Sequence, residues 1–249
     1  MNIEVNENIQ QHFDEYAITH EWQSYYEKGL NSGNCNFHLR FNAYKRIVEQ
    51  YSPETLLDLG CGSGDFLSLC INSETMYHGV DFSKEMIASV NQKIQKLPEE
   101  VKKRFSCEQG TVESMKNDVQ YDFVLASGLL EYFEDLKPVA TIMHQSTKSG
   151  GLLAVQVPNS EYYRWHNKEQ KINEKKNFLH HRITKDECDS LFTSLGYRLV
   201  KGHFVNHIYF PLSLKFPKLY VFLSDFLGPV TPEFISRRFA SMYIGVYQK

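Results

Sequence analysis

The sequence predicts a doubly wound α/β fold on a mostly parallel sheet. Two observations carry that expectation. Short apolar segments alternate with amphipathic ones from about residue 53 to residue 157, and the first apolar segment runs straight into a glycine-rich turn, Gly60-Cys61-Gly62-Ser63-Gly64. Such alternation calls for right-handed crossovers and a sheet with both faces covered. At 249 residues the chain suits one α/β domain, large enough to need no disulfide or metal staple.

The elements follow in order. Residues 1–52 read as a helical N-terminal segment, with Phe13, Tyr16, Trp22, Tyr25 and Tyr26 clustered early. Thr55–Asp58 is a buried strand and Asp65–Ile71 the helix after it; Met76–Asp81 is the second strand, and Lys84–Leu97 a helix with Ser83 as N-cap. Arg104–Glu108, Tyr121–Ala126 and Gly151–Val157 supply three more strands, with a helix at Asp135–Thr147 and a stop at Pro158-Asn159. A helix at Lys185–Leu195 precedes two late strands, Tyr197–Asn206 and Phe239–Gln248. Two insertions lie outside the alternation. Residues 158–182 are polar and charged, with Lys171–Lys176 reading as a solvated helix face, and residues 207–235 are rich in Phe, Tyr, Leu and Pro.

Composition narrows the function classes. Hydrophobic residues at 42% and charged residues at 23% describe a folded chain, not a disordered one. Against 30 acidic residues stand 27 basic ones, a net charge of −3, which disfavours non-specific nucleic-acid binding. Cys35, Cys61, Cys70, Cys107 and Cys188 form no C-x-x-C pair, so neither a zinc site nor a disulfide framework is expected. The opening residues lack the pattern of a signal peptide, and no apolar run is long enough to span a membrane, so the expected location is the cytoplasm. Aromatic residues at 14% are in excess and suggest a lined pocket.

The glycine turn carries the chemistry. Glycines allow positive φ and let a ligand approach the backbone, and a helix N-terminus behind them offers free N–H groups. Asp81 stands seventeen residues past Gly64, at the end of the second strand, where a carboxylate can accept both hydroxyls of a ribose. Asp58, two residues before Gly60, adds a second carboxylate that suits an ammonium group and repels a pyrophosphate. The glycine spacing is also one residue shorter than the dinucleotide fingerprint. A ligand with a ribose, an amine and a carboxylate but no phosphate fits S-adenosylmethionine.

Four blocks, D58-L-G-C-G-S-G64, G79-V-D-F-S83 with Met86, Y121-D-F-V-L-A-S127 and S149-G-G-L-L153, resemble the motif series of class I S-adenosylmethionine-dependent methyltransferases over residues 53–157. The resemblance implies a Rossmann-like methyltransferase fold, with a seven-stranded sheet whose last strand is antiparallel. It also implies roles. Asp58 holds the methionine ammonium, while Gly60, Cys61, Gly62 and Gly64 form the turn. Asp81 takes the ribose hydroxyls, Phe82 and Met86 flank the adenine, and Ser127 and Gly128 lie beside the sulfonium. Many members carry an acid after a glycine in the third-strand loop. Here the loop reads Gln109-Gly110-Thr111-Val112, which leaves the adenine contact to the Thr111 hydroxyl or to backbone groups.

Methyl transfer to an alcohol or phenol needs a base, whereas a carboxylate acceptor does not. His180 and His181, closing the first insertion, are base candidates, or a helix-flanking loop with one ring exposed and one packed. Glu131 and Tyr132 follow the fourth strand and can face an acceptor, or Glu131 can be a solvated helix residue. Tyr16 is a lid candidate and Arg40 an anion clamp. His144 reads as structural, and Cys107 as core. The segment Ile208–Phe226, with Phe216, Leu219 and Phe222, reads first as a lid over an apolar acceptor pocket, then as a dimer face or a membrane contact. The expected activity is metal-independent methyl transfer to an oxygen or nitrogen of a small, partly apolar molecule, by a monomer or homodimer. The rivals are an NAD-dependent oxidoreductase and a non-catalytic cofactor-binding module.

Overall fold

The computed structural model describes residues 7–19, 29–115, 119–166, 181–208 and 215–249. Its seven-stranded sheet comprises β1 (Thr55–Leu59), β2 (Met76–Asp81), β3 (Phe105–Gln109), β4 (Tyr121–Ser127), β5 (Thr147–Pro158), β6 (Arg198–His207) and β7 (Ala240–Gln248), in the order β3-β2-β1-β4-β5-β7-β6. β1 to β5 are parallel, and β7 enters antiparallel between β5 and β6. The order reverses between β1 and β4, both of which end towards the same face of the molecule. In open α/β sheets, ligands bind at that switch point.

Period-two alternation builds two cores from one sheet. Leu56, Phe123 and Leu125 face one side, under α2 (Cys35–Tyr51), α3 (Lys84–Gln95) and α8 (Pro217–Leu227). Leu57, Leu59, Val124 and Ala126 face the other, under α5 (Leu136–Ser146) and α7 (Lys185–Ser194). The remaining helices are α1 (Glu7–Ile18), α4 (Glu99–Lys102), α6 (Ser160–Trp165) and α9 (Glu233–Phe239). Caps end the helices where the residue types imply. The Ser83 hydroxyl accepts from the Met86 N–H, the Asp135 carboxylate from the Lys137 N–H, and Thr184 with Glu187 forms a capping box.

One expected element is absent. Asp65–Ile71 does not form an α-helix; only a 3-10 turn, Phe66–Leu69, follows the glycines. Hydroxyl and guanidinium groups compete for the carbonyls of this stretch. Ser68 Oγ donates to the Asp65 carbonyl and Ser73 Oγ to that of Cys70, while the Arg104 guanidinium gathers the carbonyls of Ile71, Ser73 and Thr75. The α-helix N-terminus expected behind the glycines is therefore replaced by that of a 3-10 turn. β5 is longer than its apolar run, because Thr147 pairs with Tyr121 ahead of the register shift. His180, Trp22, Tyr25, Tyr26 and Lys171–Lys176 lie outside the described residues.

Candidate active site

The turn after β1 is pinned from both sides. The Gly60 and Cys61 N–H groups both donate to the Val80 carbonyl, at 2.8 and 3.1 Å, and Gly60, Gly62 and Gly64 all have positive φ. Gly64 has a second reason to be glycine: a Cβ there would stand 2.2 Å from Val90 Cγ2. The Gly62 N–H and the Ser83 N–H each donate to one oxygen of Asp81, both at 2.9 Å. This carboxylate thus ties the turn to the end of β2, with lone pairs left for a ligand.

Acidic groups gather here. Asp58 is 1% exposed and accepts a hydrogen bond from the Tyr77 hydroxyl at 2.7 Å. Burial pushes its carboxyl up to about 7; Tyr77 opposes this, Asp65 and Asp81 add to it, and Arg40 opposes it. Asp81 is pushed up to about 6, by burial above all, against its two N–H bonds. Buried carboxylates with raised affinity for protons form a site that favours a cation. Ser127 Oγ, at the end of β4, is buried without a hydrogen-bond partner among the described residues. The acidic cluster, the backbone cradle and this hydroxyl fit the ammonium, ribose and sulfonium of S-adenosylmethionine.

A cleft of about 350 Å³ opens beside Asp81, lined by Gln10, Phe82, Gln109, Gly110, Thr111 and Ser114. It joins Phe82 and Thr111, the residues expected at the adenine. Met86 and Val112, expected beside them, are buried in the core and do not line it. α1 covers this end of the sheet. Phe13 packs edge-on between Phe82 and Tyr132, at 5.9 and 5.4 Å, and the Ser83 hydroxyl donates to Asp14 at 2.5 Å.

A second polar cluster forms around Gly128, whose φ is +69°. A Cβ there would lie 3.2 Å from Arg40 Nη1, 3.7 Å from Glu131 Oε1 and 3.8 Å from Gln156 Oε1. Arg40 Nη1 donates to Gln156 Oε1 at 3.3 Å. Burial holds the Tyr132 hydroxyl well above its usual range; Glu131 adds to this, Arg40 opposes it, and Tyr16 adds again. Tyr16, Arg40, Glu131 and Tyr132, 116 positions apart at the extremes, therefore share one neighbourhood. His181 joins them. Its backbone N–H donates to the Glu131 carbonyl at 2.6 Å, and its Nδ1 lies 3.2 Å from the Phe133 carbonyl. A carbonyl only accepts, so Nδ1 carries the proton and Nε2 a lone pair when the ring is neutral.

Phe216 and Phe222 stand outside this cluster. Both are exposed on α8, whose inward residues are Tyr220 and Ser224. Cys61 is buried against Cys107 and Gly79, and its thiol is pushed up, first by the hydrogen bond to Cys107 and then by burial. His144 packs edge-on against Tyr197, as a structural residue does. Three contributors were not expected from the sequence: Phe13, Tyr77 and Gln156. Gln156 had a readable signal, being the one polar side chain in the apolar run Leu152–Val157.

A family model described as a methyltransferase domain matches residues 51–196. Among solved structures, magnesium protoporphyrin IX methyltransferase from Synechocystis PCC 6803 with bound SAH aligns with a TM-score of 0.69 at 11% identity, covering 97% of this chain and 98% of that one. The methyltransferase domain of bacterial CtHen1 aligns at 0.61 with 19% identity, covering 86% and 100%. A chain from the complex between the Haloferax volcanii Trm112 methyltransferase activator and a methyltransferase aligns at 0.66 with 16% identity, covering 95% and 96%. At these identities the likeness is one of fold. No curated protein sequence matches the chain significantly. The glycine turn, the paired carboxylates, the strand order and the matched domain agree: the chain belongs to the methyltransferase domain family and is a class I S-adenosylmethionine-dependent methyltransferase.

Proposed function

We propose that the acceptor is a small molecule, methylated on oxygen or nitrogen beside Gly128. The observation that carries this reading is the convergence of Arg40, Glu131, Tyr132 and His181 at the end of β4. S-adenosylmethionine, when bound, supplies a methyl group on a positively charged sulfur for in-line displacement.

The chain's own residues do the rest. Asp58 holds the ammonium, Asp81 accepts from the ribose hydroxyls, and Phe82 and Thr111 border the adenine. Ser127 and Gly128 form the wall beside the sulfur. Phe13 and Tyr16 on α1 cover the site and exclude water, which strengthens every charge interaction inside. Arg40 and Tyr132 orient the acceptor by donating hydrogen bonds. His181 Nε2 takes the acceptor proton. Positioning of this kind supplies several kcal/mol of the barrier reduction.

Incubation with methyl-labelled S-adenosylmethionine and extract of the source cells tests the reading. Label is expected in the small-molecule fraction, and label confined to precipitated protein or nucleic acid overturns it. His181→Gln is expected to lower turnover on the labelled acceptor by roughly 100-fold while S-adenosylhomocysteine still binds. Unchanged turnover removes the base from the proposal.

A further inference from the structure

Among the described residues, a ridge of exposed apolar side chains follows the chain along α8, the turn after it and α9. Phe216, Leu219, Phe222, Phe226, Leu227, Val230 and Phe234 are all exposed, the last three phenylalanines at 62, 68 and 68%. Phe216, Leu219, Phe222 and Phe226 recur at the three-to-four-residue spacing of one helix face. Phe222 and Phe226 stack with centroids 6.0 Å apart.

The ridge is held rigidly from beneath. The Tyr220 hydroxyl donates to Asn206 Oδ1 at 2.6 Å, and Ser224 Oγ to the His207 carbonyl at 3.2 Å. From α2, Asn42 and Arg46 both donate to Asp225, at 2.6 and 3.1 Å. Asn206 and His207 end β6, beside the residues of β7 that pair with the last residues of β5. The ridge therefore stands at the end of the sheet where the active site opens.

Its charge is opposite in sign to that of the chain. Residues 215–238 contain four cations (Lys215, Lys218, Arg237, Arg238) and two acids (Asp225, Glu233), a local charge of +2 in a chain of net charge −3. Both acids are engaged, Asp225 by Arg46 and Glu233 by Arg237. Lys215, Lys218 and Arg238 are exposed, and the Arg238 guanidinium lies over the exposed Trp165 ring, 4.4 Å from its centroid. A tryptophan beside a cation is the pairing favoured at a membrane–water boundary.

We infer that this ridge docks the enzyme on the surface of an anionic phospholipid bilayer, with the phenylalanines entering the headgroup boundary and Lys215, Lys218 and Arg238 meeting the lipid phosphates. The contact is peripheral, since no helix among the described residues is long and apolar enough to cross a membrane. Amphipathic helices with basic rims bind in this way, through buried apolar area together with attraction to anionic headgroups. A second copy of the chain fits less well, because a two-fold interface through this patch sets one basic rim against the other. The docking is independent of the methyl-transfer chemistry.

Co-sedimentation with vesicles tests it, using phosphatidylcholine alone and phosphatidylcholine mixed with phosphatidylglycerol. The protein is expected to pellet with the mixed vesicles, to stay in solution with phosphatidylcholine, and to be released by salt. Lys215→Glu with Lys218→Glu is expected to weaken binding roughly tenfold or more, and Phe226→Asp with Phe234→Asp to abolish it. Retained thermal stabilisation by S-adenosylhomocysteine shows that each variant is folded. Failure of the parent protein to bind the mixed vesicles overturns the inference, as does equal binding to both vesicle types. So does a dimer in sedimentation velocity, without vesicle binding, that Phe226→Asp dissociates.

Discussion

The Tyr77 hydroxyl donates to the Asp58 carboxylate across neighbouring parallel strands, at 2.7 Å and out of contact with solvent. That hydrogen bond, with Arg40, favours the charged form of Asp58 against burial and two nearby acids. Asp58→Asn removes the charge proposed to face the ligand's ammonium and is expected to weaken S-adenosylhomocysteine binding by roughly 10- to 100-fold, the scale of a charge-assisted hydrogen bond. The unliganded protein is expected to melt no lower than the parent, since a desolvated carboxylate is lost. Isothermal titration and thermal melting read the two effects separately.

The pH dependence has a definite sign. The Asp58 carboxyl rises from 3.8 to about 7 and the Asp81 carboxyl to about 6, so between those limits the folded state holds protons that the unfolded chain has released. Stability of the unliganded protein is therefore expected to fall as pH rises from about 4 to about 7 through these groups, which raise it only while protonated. Ligand binding is expected to run the other way, because Asp58 in its proposed role meets the ammonium ionised. The melting-temperature increase produced by S-adenosylhomocysteine is expected to grow from pH 5.5 to pH 8, and Tyr77→Phe to move that rise to higher pH.

Two glycines with similar φ separate backbone strain from packing. Gly64 and Gly150 have φ of +75° and +76°, but only at Gly64 does a Cβ meet a neighbour, Val90 Cγ2 at 2.2 Å. Gly150→Ala is expected to cost about 1–2 kcal/mol, the strain of a left-handed alanine. Gly64→Ala is expected to cost about 1–3 kcal/mol more, from overpacking. Urea unfolding of both variants checks the difference.

Phe13 packs against both Phe82, proposed to border the adenine, and Tyr132, proposed to orient the acceptor. Phe13→Ala is expected to loosen α1 and speed S-adenosylhomocysteine release by roughly tenfold, in line with the loss of two aromatic contacts of about 0.5–1.5 kcal/mol each. Stopped-flow displacement measures it. An unchanged release rate means that α1 does not act as a cover.

The strand sequence and the glycine turn were legible because their signals are local. A parallel strand buried on both faces is a continuous apolar run, and the turn after β1 needs glycines whatever surrounds it. Asp58 and Asp81 stand at fixed offsets from that turn, so their strand-end positions followed directly. The helix expected at Asp65–Ile71 failed because its end is settled from outside: Arg104, at the end of the next crossover, takes the carbonyls of Cys70 and Ile71. Met86 and Val112 sit at the expected positions in the chain, yet their side chains turn into the core, a choice made by packing.

The sequence by itself determined the strands, the glycine turn and the strand-end places of the two carboxylates, since each strand and turn is signalled by its own few residues. Only the tertiary structure decided which side chains gather beside Gly128. Arg40 comes from α2, Gln156 from β5, Glu131 and Tyr132 from the turn after β4, and His181 from the end of an insertion. Only the packing of helices against the strand ends brings them together. It also decided the fate of the aromatic segment. With Tyr220 and Ser224 bonded to the end of β6, the helical period turns Phe222 and Phe226 outward, because a helix face fastened to the sheet exposes the opposite one.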